Sequence, residues 1–237
     1  MIRLFVLCAV FLLTQVVFAA AITARSWLVA DEHGQIIQES NPDAVRSIAS
    51  ITKLMTAMIV LDAQQNPEEQ ITKYTRRELL QLALVHSDNG AAQALCDNYP
   101  GGRASCIAAL NAKAQTLGLA NTKFIEPTGL SVFNVSTARE LVKMITASLA
   151  YAEIVTAGHT SQLTVRIKRR LMTFRNTNPL VNAAGPVVVS KTGFTNAAGG
   201  CLVMITDTIY GRRTVVVLGS KNTRTRIPEA EAIARLR

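Results

Sequence analysis

An apolar run that starts just after a serine and a lysine constrains this chain most strongly. Residues 54–61 are apolar except for Thr56, and such a run predicts a helix that is buried on nearly every side. Ser50 and Lys53 lie three residues apart at its start, so one helical turn places them on the same face. Because a buried helix holds its first turn rigidly, the sequence predicts an amine fixed within reach of a hydroxyl group.

A serine nucleophile that works without histidine requires at least these two groups, a hydroxyl group and an adjacent base. Ser50 would attack a carbonyl carbon and form an acyl-enzyme, with Lys53 as the nearest base. Because an ordinary lysine is protonated at neutral pH, burial and a second cation would have to lower its pKa, and Lys191 is the candidate cation. Taken alone, however, Ser50 is also typical of a helix start and Lys53 of a protein surface.

A second motif, Ser87-Asp88-Asn89, follows a stretch of helical periodicity at 75–85 and predicts an interhelical turn. Ser87 would relay a proton to a leaving amine, and Asn89 would hold a substrate amide. Considered by itself, the motif is equally typical of a helix cap or a turn.

A third motif, Lys191-Thr192-Gly193, follows the β-branched run 187–190 and predicts a strand end. A glycine there lets a substrate backbone approach closely. The backbone amides of Ser50 and Phe194 are then the predicted oxyanion hole, because the tetrahedral oxygen must lie between nucleophile and strand. The three motifs, in this order and in these contexts, indicate a catalytic site where each alone would not.

Element patterns predict an α+β fold with a mostly antiparallel sheet, flanked by helices and carrying an inserted helical lobe. Two strand-like runs at 26–30 and 35–38 form a predicted hairpin, and residues 68–150 are largely helical. Further predictions are a helix at 105–117, a capping box at Thr137 and Glu140, strands at 187–190, 201–206 and 214–219, and a last helix opened by Pro228.

The N-terminus is typical of a cleaved secretory signal. Arg3 precedes an apolar run at 4–18, which is shorter than a membrane-spanning helix, and three small residues follow at 19–21. Cleavage is predicted after Ala19 or Ala21, with an uncleaved membrane anchor as the alternative. The expected organisation is therefore a signal peptide at 1–21 and a single domain at 22–237, exported to the periplasm without a stable membrane anchor.

The formal net charge of +9 favours anionic partners, and export argues against nucleic acid. The basic run 166–170 is interpreted most simply as a solvated strand face, with attraction to an anionic cell wall as its functional alternative.

Cys96 and Cys106 flank a turn at 99–102, so they are interpreted either as a disulfide or as two unpaired core cysteines. Cys201 is predicted in the core. The three histidines are expected to be structural or solvated, and only His86, beside Ser87, is close enough in sequence to support the site. No cysteine or histidine cluster has metal-ligand spacing, so neither a metal nor a cofactor is expected.

Four stretches carry a resemblance to a known family: residues 47–57, 127–131, 175–178 and 191–199. They resemble the low-molecular-mass penicillin-binding proteins that act as D-alanyl-D-alanine carboxypeptidases and endopeptidases, in particular the periplasmic endopeptidases of the penicillin-binding protein 7 type. The resemblance runs from about residue 24 to the end of the chain. It implies a β-lactamase/transpeptidase-like fold and action on peptidoglycan stem peptides, with β-lactams as covalent inhibitors.

By position, the resemblance implies that Ser50 is the nucleophile, Lys53 the proton acceptor, and Ser87 and Asn89 the second motif. It also implies that residues 191–193 contact substrate.

In carboxypeptidase relatives, an arginine past the last strand receives the substrate carboxylate. Arg226 falls at that place, with Arg224 as a near alternative.

Two departures from the family pattern stand out. The endopeptidases usually carry Ser-Glu-Asn where this chain has Ser-Asp-Asn, and the extra C-terminal domain of the larger carboxypeptidases is not seen.

Three alternatives to the endopeptidase stay open. They are a carboxypeptidase, a β-lactamase and a non-catalytic β-lactam receptor. A class A β-lactamase deacylates through a glutamate, but Glu126 precedes a Pro-Thr-Gly turn that matches the peptidases instead.

Overall fold

A five-stranded antiparallel sheet, in the order β2-β1-β9-β8-β7, forms the centre of the fold. The computed structural model describes residues 22–182 and 185–237, so the predicted signal segment at 1–21 lies outside the described residues. Two short antiparallel pairs, β3-β4 and β5-β6, lie apart from the main sheet. The strands are β1 Ser26–Ala30, β2 Ile36–Ser40, β3 Arg46–Ser47, β4 Val135–Ser136, β5 Gln162–Ile167, β6 Arg170–Arg175, β7 Val187–Thr195, β8 Gly199–Thr208 and β9 Gly211–Ser220.

Six of the seven described α-helices lie between β3 and β7 in the chain, which confirms the predicted helical insertion. The helices are α1 Thr52–Asp62, α2 Arg76–Gln81, α3 Asn89–Asp97, α4 Gly102–Thr116, α5 Ala138–Ser148, α6 Ala152–His159 and α7 Arg226–Ala234. A 3-10 turn, Ala49–Ile51, leads into α1, and a π-helical turn, Leu82–His86, continues α2.

The central strands β8 and β9 are buried on both faces, which explains their nearly continuous apolar runs. Side chains alternate across a strand, so Val203 and Val216 pack towards the helical insertion while Leu202 and Val217 pack towards α7. Helix α1 is buried from Thr52 to Val60, as its apolar run predicts.

The capping box predicted at Thr137 is only half formed. The Thr137 hydroxyl accepts from the Glu140 amide at 3.1 Å, but the Glu140 carboxylate turns away to accept from Asn121 and Thr122. A complete box forms instead at Thr75 and Glu78, at the start of α2. The carboxylate of Glu140 points away from the helix start because it accepts hydrogen bonds from polar groups of a neighbouring loop.

Strand β7 is longer than predicted. It continues to Thr195 because each residue from Ser190 to Thr195 finds a partner on β8. The Lys191-Thr192-Gly193 motif therefore lies within the strand, and the prediction that it ends the strand is wrong. The last helix likewise begins at Arg226, two residues before Pro228.

A disulfide joins Cys96 on α3 to Cys106 on α4, which decides between the two interpretations of these cysteines, and Cys201 is free and buried. Over residues 22–182 and 185–237, no single helix has the length and apolar composition to cross a bilayer. Helices α5 and α6 meet that test only as a pair bent by 103°.

Candidate active site

Ser50 lies in the 3-10 turn that leads into α1. The preceding residue, Ala49, has a φ of 47°, in the left-handed region that non-glycine residues rarely adopt. The Thr52 hydroxyl donates to the Ala49 carbonyl at 2.8 Å and supports this turn. The chain therefore bends sharply just before the serine, and the buried helix α1 anchors the turn on its C-terminal side.

The Lys53 amine is fully buried and makes three hydrogen bonds. Its Nζ donates to Ser50 Oγ at 2.9 Å, to Asn89 Oδ1 at 2.7 Å and to the Thr128 carbonyl at 2.7 Å. An ammonium group has three protons to donate, so its hydrogen-bonding capacity is fully used. Burial lowers the pKa of Lys53 to about 8, while the negative charges of Glu126 and Asp88 oppose that shift.

Burial lowers the pKa of Lys53 as predicted, and the predicted repulsion between the Lys53 and Lys191 amines lowers the pKa of Lys191. The pKa of Lys191 is lowered well below its usual value, first by complete burial and then by the charges of Lys53 and Arg226. The two buried amines therefore disfavour each other's charged form.

The second motif forms the turn between the π-helical segment and α3. Ser87 adopts a left-handed conformation, with φ 61° and ψ 30°. The Asp88 side chain accepts from the Ala91 amide at 2.7 Å and caps α3. As a result, Asn89 is the first residue of α3, and its side chain reaches Lys53.

Glu126 organises the turn opposite Ser50, a role that the sequence analysis missed. Its Oε2 accepts from the Thr128 amide and hydroxyl at 2.7 and 2.6 Å. Its Oε1 accepts from the Gly129 amide at 2.6 Å and from the Asn134 side chain at 2.9 Å. Glu126 thereby fixes the peptide whose carbonyl, that of Thr128, accepts from Lys53. The sequence signal was the short Glu-Pro-Thr-Gly turn itself.

The third motif lies on the strand β7 beside the serine. A Cβ atom on Gly193 would come within 2.9 Å of both the Ser50 amide nitrogen and the Ala49 Cβ, so only glycine allows this approach. Lys191 Nζ donates to the Thr192 carbonyl at 3.0 Å, and the Thr192 hydroxyl donates to that of Thr177 at 2.7 Å. Phe194, by contrast, is 42% exposed.

Arg226, and not Arg224, reaches this strand. Arg226 Nη1 donates to the Gly193 carbonyl at 2.7 Å, and burial lowers the pKa of its guanidinium. The Arg224 side chain is exposed. The structure thus brings Ser50, Lys53 and Asn89 together through direct hydrogen bonds, with Gly193 and Arg226 on the neighbouring strand and helix.

The histidines lie outside this network. His86 Nδ1 lies 3.2 Å from the Arg175 carbonyl, and its ring centroid is 5.1 Å from that of Phe174. These contacts are structural, as expected. Across the described parts of the chain, no group of three or more His, Cys, Asp or Glu side chains could hold a metal ion.

Two relatives are similar over most of the chain. A D-alanyl-D-alanine endopeptidase of Pseudomonas aeruginosa is 40% identical over 238 residues, covering 90% of this chain and 77% of that protein. A D-alanyl-D-alanine endopeptidase of Escherichia coli is 43% identical over 209 residues, covering 78% of this chain and 67% of that protein.

Solved structures share the fold. A mutant of the Streptomyces K15 DD-transpeptidase superposes with a TM-score of 0.83 at 26% identity, over 90% of this chain and 97% of that one. Penicillin-binding protein D2 of Listeria monocytogenes, in its cefotaxime-bound form, superposes with a TM-score of 0.82 at 25% identity, over 92% of this chain and 98% of that one. The sequence profile of the D-alanyl-D-alanine carboxypeptidase family matches residues 14–73 and 65–222. The predicted β-lactamase/transpeptidase-like fold is therefore confirmed, and the chain belongs to the D-alanyl-D-alanine carboxypeptidase family of peptidases.

Proposed function

We propose that this protein is a serine endopeptidase that cuts the D-alanyl cross-links of peptidoglycan through an acyl-enzyme on Ser50. The observation that carries the proposal is the hydrogen bond from the buried Lys53 amine to Ser50 Oγ, because it joins a nucleophile to a base of lowered pKa. The preference for cross-links is supported by the two relatives that are named endopeptidases.

In the proposed reaction, neutral Lys53 accepts the Ser50 proton while Oγ bonds to the carbonyl carbon of a D-alanyl residue. The C–N bond of the cross-link then breaks, and the leaving amine takes a proton that Ser87 relays from Lys53. Water next attacks the ester and gives its proton to Lys53, which returns it to Ser50 Oγ. The products are a free D-alanyl carboxylate and a free amine, and the enzyme is regenerated.

The remaining site residues have proposed binding roles. The amides of Ser50 and Phe194 would bind the tetrahedral oxygen, a role supported by the close approach of Gly193 to Ser50. Asn89 would hold a substrate amide while its Oδ1 keeps Lys53 in place.

Strand β7 would bind substrate backbone through Lys191, Thr192 and Gly193. Arg226 adds positive charge beneath this strand. In the carboxypeptidase alternative, which the family name favours, Arg226 would receive the terminal carboxylate.

A β-lactam would acylate Ser50 by the same first step and persist as an ester. Class A β-lactamases hydrolyse that ester with water activated by a glutamate. Both Glu126 oxygens here already accept hydrogen bonds from backbone and side-chain donors, which leaves Glu126 poorly suited to activate water. We therefore propose that deacylation is slow and that penicillins inhibit the protein. We also propose that the protein is exported to the periplasm through the predicted signal peptide.

The test is a digest of purified, cross-linked muropeptide dimers, followed by mass spectrometry, with wild type beside Ser50→Ala. Conversion of dimers to monomers by wild type alone is the expected result. Loss of one terminal D-alanine with the cross-link intact would make the protein a carboxypeptidase. Rapid turnover of penicillin with no action on dimers would assign a β-lactamase and overturn the proposal.

A further inference from the structure

The β5–β6 hairpin carries four positive charges at its tip. Arg166, Lys168, Arg169 and Arg170 are all exposed. Within the described residues none of the four forms a salt bridge, whereas other surface arginines, such as Arg139 with Asp43, are paired. Four adjacent cations without internal partners repel one another, so this tip is suited to an external anion.

The outer face of the hairpin is polar except for Leu171. Directly opposed residues share a face in an antiparallel pair, which places Arg166 with Leu171, Thr164 with Thr173, and Gln162 with Arg175. The two threonine hydroxyls lie 3.1 Å apart. Six residues per strand make this polar face ~20 Å long. On the other face, the buried Val165 and half-buried Leu163 and Phe174 anchor the hairpin.

The base of the hairpin is joined to the candidate active site. The Thr177 amide, just after β6, donates to the Val85 carbonyl at 3.1 Å, and the Thr177 hydroxyl accepts from Thr192. The Arg175 carbonyl lies against His86, the neighbour of Ser87. The base of the hairpin therefore contacts the segment that precedes Ser87 and, through Thr177, strand β7.

We propose that the β5–β6 hairpin is a binding arm for the carboxylate-bearing stem peptides of polymeric peptidoglycan, which it holds beside the Ser50 site. This inference rests on the proposed function for its substrate. Charge complementarity selects an anionic partner. The threonines, glutamine and arginines of the outer face favour a polar, extended polymer over a lipid bilayer. Insertion into a bilayer requires a continuous apolar face, whereas the exposed Leu171 and Met172 are successive strand residues and lie on opposite faces of the hairpin.

The binding test compares two variants, both in the inactive Ser50→Ala background. One replaces Arg166, Lys168, Arg169 and Arg170 with glutamine; its matched control replaces the three arginines with lysine and keeps the charge. The parent and the control are expected to sediment with purified sacculi and to be released by ~0.5 M salt, which screens exposed charges. The neutral variant is expected to bind about tenfold more weakly. Equal sedimentation of all three proteins would overturn the proposal.

The activity test uses the same substitutions with Ser50 intact. The neutral variant should release products from intact sacculi about tenfold more slowly, yet cleave soluble muropeptide dimers at the wild-type rate, since a short soluble substrate does not need the arm. Failure of wild type on soluble dimers would refute the endopeptidase itself, whereas equal rates on sacculi would refute only the arm. Charge-dependent binding to phosphatidylglycerol vesicles, without binding to sacculi, would assign the hairpin to a membrane surface and also overturn the proposal.

Discussion

Lys53 is subject to two opposing electrostatic effects. Burial disfavours its charged form, while the carboxylates of Glu126 and Asp88 favour it, and the balance is a pKa of about 8. A general base works best when its pKa lies near the working pH. In the proposed mechanism, this balance leaves Lys53 basic enough to accept a proton and neutral often enough to act as the base.

The first prediction concerns the pH dependence of acylation. Because only neutral Lys53 can accept the Ser50 proton, and its pKa is about 8, the acylation rate should fall below pH 8, by ~tenfold for each pH unit in the limit. The measurement is the second-order rate constant for a fluorescent penicillin between pH 6 and 10. A rate that stays flat down to pH 6 would contradict Lys53 as the base.

The variant Glu126→Gln tests the same pH profile from a second side. The negative charge of Glu126 raises the pKa of Lys53, so removing that charge should lower the pKa of Lys53 and move the acidic limb of the profile to lower pH. A purely structural role for Glu126 would reduce the rate or the stability without moving the limb. An unmoved limb in a folded variant would therefore show that the charge does not act on Lys53.

Sequence reasoning predicts the contacts of the proposed site that are local, such as that between Ser50 and Lys53. Ser50 and Lys53 are three residues apart, so helical geometry alone predicts their contact. The carbonyl of Thr128, in contrast, reaches Lys53 from 75 residues away. Neither periodicity nor spacing reveals that a backbone carbonyl is an amine ligand, or that Glu126 fixes it, because both facts depend on how distant turns pack.

At the scale of elements, the 3-10 turn at 49–51 is held between two close neighbours. One is β7 at Gly193, and the other is the turn at Gly129, where a Cβ would lie 1.9 Å from the Ala49 carbonyl oxygen. Both contacts need glycine, because any side chain would push the serine away from its partners. The position of Ser50 thus depends on two segments that are distant in sequence.

The second prediction tests this packing with two glycines of similar backbone conformation. Gly129→Ala, at φ 84°, should cost about 2–5 kcal/mol of unfolding free energy and abolish acylation, because strain and overlap add. At Gly34, with φ 78°, an added Cβ would have no atom within 4 Å. Gly34→Ala should therefore cost only about 1–2 kcal/mol of unfolding free energy and leave acylation unchanged. Urea unfolding and penicillin labelling measure both effects, and equal losses in the two variants would refute the packing argument.

At the scale of the whole molecule, the order of elements follows from the sequence better than their contacts do. A hairpin, a helical insertion, three strands and a last helix are all visible as patterns, and the antiparallel sheet follows from them. The sequence leaves the pairing of Cys96 with Cys106 open, because a disulfide requires suitable backbone separation. The structure brings their Cα atoms to 5.5 Å, a distance that suits a disulfide.

The third prediction concerns that bond. The two cysteines are ten residues apart, and closing a loop of this size stabilises a fold by about 2–3 kcal/mol. For a chain of this length, each kcal/mol shifts Tm by roughly 2–4 °C, so reductant should lower Tm by about 5–10 °C. The double variant Cys96→Ala/Cys106→Ala should start from a lowered Tm and not respond to reductant.

Because the bond joins α3 to α4 and does not touch Ser50 or Lys53, penicillin labelling of the folded double variant at 25 °C should match wild type. A Tm that reductant leaves unchanged in wild type would show that the bond contributes nothing to stability, whereas lost labelling in a folded variant would show that this corner of the helical insertion also supports the catalytic site.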